Sequence, residues 1–135
     1  MEERVFLNAL QPYCEAFVEH EVAKRMALLA AAMTADAEIW GPKRVFAGCA
    51  QISEKIDGFQ KNWPECRLVL ASGLNTFLDC ARLGQAIVDR NSAVRASGHS
   101  FIELAADGRI RRVVAFWDAL PPLPSDWPAR FAAPG

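Results

Sequence analysis

Apolar residues in the first third of the chain recur at helical intervals. Val5, Phe6, Leu10, Tyr13, Phe17 and Val18 lie three and four apart and form one amphipathic stripe. Pro12 interrupts that stripe and should kink the helix or mark a fresh start, because it cannot donate to the Asn8 carbonyl. A second, alanine-rich stripe starts near His20-Glu21 and passes through Val22, Met26, Leu29 and Met33. Thr34–Ala37 closes it. Short strands are expected around Glu38–Trp40 and Val45–Ala47, on either side of Gly41-Pro42. Ile52, Ile56 and Phe59 predict a third helix over Ala50–Lys61, stopped by Trp63-Pro64.

Beyond Trp63 the pattern is that of strands, over Arg67–Phe77, Arg82–Arg90, Arg95–Leu104 and Ile110–Leu120. Asp107-Gly108 between apolar runs predicts a two-residue hairpin turn with positive φ at both central residues. That turn sets Ala106 opposite Arg109, then Leu104/Arg111, Ile102/Val113, Ser100/Ala115 and Gly98/Trp117 on one face. Glu103/Arg112, Phe101/Val114, His99/Phe116 and Ser97/Asp118 fall on the other. A turn at Asn91-Ser92 places Leu83, Gln85 and Ile87 beside Ser100, Gly98 and Ala96. A one-residue slip would invert every assignment. Both faces are apolar enough to need cover, and three helices can cover one. Helices first and antiparallel strands after predict an α+β fold, with residues 1–120 as a single domain. Residues 121–135 form a Pro-rich C-terminal tail, with four of the eight prolines in the stretch Pro121–Pro128.

Composition narrows the function classes. With 52% hydrophobic residues the chain can build a core at 135 residues, which argues against disorder. Fifteen basic residues against sixteen acidic ones leave no excess charge for nucleic acid. No apolar run approaches the ~20 residues of a membrane span, and Met1-Glu2-Glu3-Arg4 lacks the layout of an export signal, so a cytoplasmic location is expected. Cys14, Cys49, Cys66 and Cys80 form no Cys-x-x-Cys knuckle, and only His20 and His99 could join them. No metal and no cofactor is expected.

The order of helix, helix, Asp36-Ala-Glu-Ile-Trp-Gly-Pro42, helix, Trp63-Pro64, then Ser100–Ile110 and Phe116-Trp-Asp118, resembles a SnoaL-like domain of the nuclear-transport-factor-like superfamily. Ketosteroid isomerases, polyketide cyclases and limonene epoxide hydrolase are relatives. The resemblance spans roughly Val5 to Leu120. It implies a cone, a strongly curved antiparallel sheet around a cavity with helices closing the wide end, and dimerisation through the convex face. It also implies where isomerase chemistry would sit. The general base of ketosteroid isomerases falls at Gly41, their oxyanion-hole tyrosine at Phe17 and their protonated aspartate at Ser100. None of these supplies the required group, while Trp117 fits the scaffold pattern. No buried ionisable residue of the cyclase or hydrolase sites maps onto a matching motif.

The residues themselves then suggest a pocket for a small, mostly apolar molecule, uncharged or weakly polar, lined by Tyr13, Phe17, Ile39, Gln85, Ser100, Ile102 and Trp117. Gln85 is the most telling, since an amide on an apolar inward face must find a partner. Asp89, toward the rim, and Ser100 are the weak catalytic candidates. His99, Phe101, Val114 and Phe116 on the outer face are the expected homodimer interface. An isomerase, cyclase or dehydratase using acid–base groups outside the family positions is the alternative. A dimeric interaction module with a filled cavity is the third reading.

Overall fold

The computed structural model describes residues 1–134; Gly135, at the end of the tail, lies outside the described residues. The elements are α1 (Glu3–Ala16), α2 (Val22–Ala32), β1 (Met33–Trp40), β2 (Val45–Ala47), α3 (Gly48–Asn62), β3 (Arg67–Phe77), β4 (Cys80–Val88), β5 (Val94–Leu104) and β6 (Ile110–Phe116). A short 3-10 turn, Ala129–Phe131, sits in the tail. Six strands form one sheet in the order β2-β1-β6-β5-β4-β3. The α+β class follows from this arrangement of three helices on one sheet. No helix among the described residues is long and apolar enough to cross a membrane.

Three features differ from the sequence pattern. Pro12 neither breaks nor restarts α1, which continues through it to Ala16. Helix α2 ends at Ala32, and β1 starts at the next residue, so Thr34–Ala37 is strand and not a helix-closing segment. The sheet is mixed, not wholly antiparallel, because β1 runs parallel to β6 with Ile39 beside Val113. That pairing joins residues some seventy positions apart, which no turn residue announces.

The hairpin registers explain how the faces sort. Leu83, Gln85 and Ile87 stand beside Ser100, Gly98 and Ala96. Ile102 faces Val113, Ser100 faces Ala115 and His99 faces Phe116. The β5–β6 turn itself differs from the expected one. Gly108 N–H donates to the Ala105 carbonyl, Ala105 N–H donates to Arg109, and of the two central residues only Gly108 has positive φ. Leu104 therefore pairs with Ile110, and the register shifts by one before Glu103 meets Arg112. The longer turn and the shift offset each other, so the faces beyond Glu103 are unchanged. Arg111, expected on the inner face opposite Leu104, is the residue displaced. Ile110 goes inward in its place, while Arg111 stays outside with Asp79 and Glu103.

Irregularities of this kind bend the sheet. Another in β3 separates Leu70 from Leu74 and turns Ser72 onto Gly84, whose N–H it accepts at 2.7 Å. The concave inner face packs Leu83, Ile102, Leu104, Ile110 and Val113 against Phe6, Leu10, Leu29, Ile52 and Ile56. The helical layer is tied together by Arg25, a guanidinium only 1% exposed. It donates to the Glu19 carbonyl at 3.0 Å, to Ser53 Oγ at 3.1 Å, to Asp57 at 2.7 Å and to Gln60 at 3.0 Å. Gln60 in turn donates to the Phe17 and Glu19 carbonyls. Helices α2 and α3 and the α1–α2 connection are thereby locked in one geometry around the inner face.

Candidate functional site

Between α1, α3 and the inner face of the sheet lies an open cavity of about 390 Å³. Helix α1 contributes Tyr13, and Phe17 follows one turn later at its C-terminal cap. Their rings meet edge to face at 5.1 Å, and Phe17 meets Phe59 of α3 likewise at 5.2 Å, forming an aromatic wall. Strand β1 adds Ile39, β4 adds Gln85 and Ile87, and Ala115 and Trp117 come from β6 and just beyond it. Trp117 takes its place because β6 passes very close to Gly98. A Cβ there would overlap the Phe116 carbonyl and come within 2.8 Å of the Trp117 Cα.

Five of the seven residues expected in the lining are therefore brought together: Tyr13, Phe17, Ile39, Gln85 and Trp117. Ser100 and Ile102 are not. Ile102, 2% exposed, is packed into the core. Ser100 is buried behind Gln85 and donates its hydroxyl to the Gln85 carbonyl oxygen, so it orients the amide instead of meeting the cavity. This leaves Gln85 Nε2 buried without a hydrogen-bond partner. Asp89 belongs to the β4–β5 turn. It accepts the Asn91 and Ala93 N–H groups at 2.9 and 3.0 Å and faces Arg95 at 3.9 Å, away from the cavity. A carboxylate so engaged is a turn clasp.

Sequence reasoning passed over the contribution of α3. Glu54, Lys55, Gly58, Phe59 and Asn62 all face the cavity, with Trp63 following. Their spacing is one helix face, and a glycine in mid-helix was the available signal, since it weakens a helix unless the space matters. A Cβ on Gly58 would meet nothing within 4 Å. Lys55 is half-buried, and its Nζ lies 5.0 Å from the centre of the Phe46 ring. Removal from water pushes its pKa below the ordinary lysine value. The Tyr13 phenol is shifted upward, chiefly by burial and secondarily by Cys14, and so stays a neutral donor.

The outer face carries His99, Phe101, Val114 and Phe116 as the register requires. Phe101 is 46% and Phe116 56% exposed, with their rings edge to face at 6.1 Å. Trp40 extends the patch at 41% exposure, with Arg112 over its ring. Glu103 pairs with Arg112 at 3.3 Å, and Arg112 faces Glu38 at 3.6 Å. Among the described residues no three His, Cys, Asp or Glu side chains gather as metal ligands, and the cysteines are free thiols.

No family model matches the chain, and no curated protein sequence matches it. Solved structures share its fold. A protein of Agrobacterium tumefaciens, described as a candidate isomerase of the SnoaL-like family, superposes with a TM-score of 0.76 at 24% identity, over 86% of this chain and 99% of that one. A protein of unknown function with a cystatin-like fold from Methylobium petroleophilum gives 0.69 at 18% identity, covering 94% and 83%. The epoxide hydrolase/cyclase-like enzyme SalBIII, of pyran ring formation in the polyether salinomycin, gives 0.65 at 19% identity, covering 87% and 93%. The chain has the cystatin-like fold of SnoaL-like and nuclear-transport-factor-like proteins.

Proposed function

We propose that the cavity binds one small, mostly apolar molecule. The observation that carries this reading is an open space of about 390 Å³ with aromatic walls, whose lining includes Gln85 with a buried Nε2 that has no partner. Binding pockets combine such apolar walls with a few fixed polar groups. An unpaired buried N–H costs about 1–3 kcal/mol, which an acceptor oxygen on a ligand would offset. A filled interaction module would leave no such space.

The fold neighbours described as an isomerase and as an epoxide hydrolase/cyclase-like enzyme raise acid–base catalysis as the second reading. Here Gly41 lines the cavity without a base, Phe17 has no hydroxyl and Ser100 is engaged with Gln85. Glu54, the carboxylate among the lining residues, is exposed to water. A tuned acid needs burial or a charged neighbour to shift it, so binding is favoured over proton transfer. The test is titration of aryl ketones against tryptophan fluorescence, since Trp63 and Trp117 both line the cavity. Saturable quenching is expected, weakened in Gln85→Leu and Trp117→Ala, with no double-bond migration in bound enones. Turnover that survives loss of Glu54 and vanishes in Ser100→Ala would overturn the binding reading.

The protein is further proposed to pair with a second copy through Phe101, Val114, Phe116 and His99. Support comes from the exposed aromatic patch on the outer face, which no helix covers. Large exposed apolar patches mark contact surfaces.

A further inference from the structure

Resting on the reading of the cavity as a ligand site, we infer that its ligand is an aryl or alicyclic carboxylate with a second oxygen acceptor. The carboxylate would pair with Lys55, and the second oxygen with Gln85 Nε2.

Lys55 is a cation without an anion. Among the described residues no carboxylate oxygen lies within 4.0 Å of Lys55 Nζ, whereas Lys24 is paired with Glu21 at 3.4 Å and Arg25 with Asp57 at 2.7 Å. The near neighbour of Lys55 is instead the Phe46 ring, and the Arg44 guanidinium lies 4.3 Å from the centre of that ring. The side-chain partner of Arg44 is the neutral amide of Gln51, at 3.5 Å. Two cations thus share one aromatic ring at the cavity wall without a carboxylate bound to either. Glu54 also lines the cavity, but it is exposed and forms no ion pair with Lys55. A half-buried ammonium that has lost part of its hydration gains most from an anion.

The second polar group differs in kind and depth. Gln85 is 6% exposed, lines the cavity, and has its carbonyl oxygen committed to Ser100. Its free group is the Nε2 donor. A half-buried cation and a buried neutral donor, both in a lining that is otherwise largely aromatic and aliphatic, match an apolar body that carries a carboxylate and a second oxygen. The uncharged ligand expected from the sequence would leave Lys55 unanswered.

Calorimetric titration at neutral pH with three matched probes tests this. 4-Acetylbenzoate carries both features, 4-acetylbenzamide lacks the charge, and 4-isopropenylbenzoate lacks the ketone oxygen. The wild-type protein is expected to prefer 4-acetylbenzoate over each of the others by about tenfold, the scale of one charge-assisted or buried hydrogen bond. Lys55→Met should erase the preference over the amide but keep the preference over the isopropenyl compound, and Lys55→Arg should restore it. Gln85→Leu should do the reverse. Thermal melting of each variant verifies that it is folded. Equal affinity for the benzoate and the benzamide, or a preference untouched by Lys55→Met, overturns the inference. Benzamide binding that Trp117→Ala abolishes would in that case leave the cavity a ligand site. Absence of binding by all three at millimolar concentration overturns both.

Discussion

Single residues set the site through close approach and through paired or unpaired polar groups. Gly98 is the clearest case of approach, because β6 occupies the volume where a side chain would stand. Gly98→Ala must push Phe116 and Trp117 outward, and overpacking of this kind costs about 2 kcal/mol. Chemical denaturation should show that loss together with weaker ligand binding, since Trp117 moves with it. Asp107 illustrates a polar contact that stabilises locally. The Arg109 backbone N–H, and then the Arg109 side chain, hold its carboxyl below the ordinary value. Because the folded pKa is lowered, its support of the β5–β6 turn is complete above the unfolded carboxylate value and fades as pH falls through the folded one. An NMR titration of the Asp107 carboxyl should place its midpoint below that of a model peptide, and Arg109→Ala should raise it.

At the level of elements, α3 has two faces with opposite demands. One is clamped by Arg25 through Ser53, Asp57 and Gln60; the other opens on the cavity through Lys55, Gly58 and Phe59. Removing the guanidinium in Arg25→Ala strands the Ser53 hydroxyl and the Gln60 carbonyl oxygen, although the Glu19 carbonyl keeps its bond from Gln60 and Asp57, 61% exposed at its side chain, can rehydrate. The expected loss is about 3 kcal/mol by thermal or urea unfolding. Gly58 separates stability from function. Gly58→Ala should stabilise the helix by about 1 kcal/mol, because nothing crowds the new methyl group. Gly58→Leu should keep the fold and fill the cavity, and calorimetry should then detect no binding of 4-acetylbenzoate. Retained binding in Gly58→Leu would move the ligand site away from α3.

The whole molecule is a curved sheet with one face committed to helices and cavity and the other open. The open face is not uniformly apolar. Glu38, Arg112, Glu103, Arg111 and Asp79 form a charged ladder beside the aromatic patch of Trp40, Phe101 and Phe116. Such a surface suits a specific partner over random association, because a misaligned copy sets like charges together. Light scattering at micromolar concentration is expected to give twice the chain mass, and Phe116→Asp to return it toward the mass of one chain without lowering the melting temperature of the protomer. A wild-type monomer at that concentration would remove the dimer proposal.

Where local spacing or a turn residue decides a feature, the chain itself determined it. Three helices, the strand Arg67–Phe77, and the sorting of Ile102 inward and Phe101 outward follow from apolar periods of 3.6 and 2 and from Gly108. The same logic brought Tyr13, Phe17, Gln85 and Trp117 to one cavity. Only tertiary structure decided the rest. The parallel β1–β6 pair depends on the path of the intervening chain, and the Arg111 displacement depends on Ile110 competing for the inner face. Ser100 moved from the lining to a position behind it because the neighbouring Gln85 oxygen took its hydroxyl. Arg25 and Lys55 are both basic residues with the sequence signature of a solvated helix face, yet one is wholly buried and the other half-buried at a cavity. Charge alone carries no record of burial. Where a long side chain ends is settled by the elements packed against it, and here α3 is what turns two ordinary cations into a clamp and a candidate anion site.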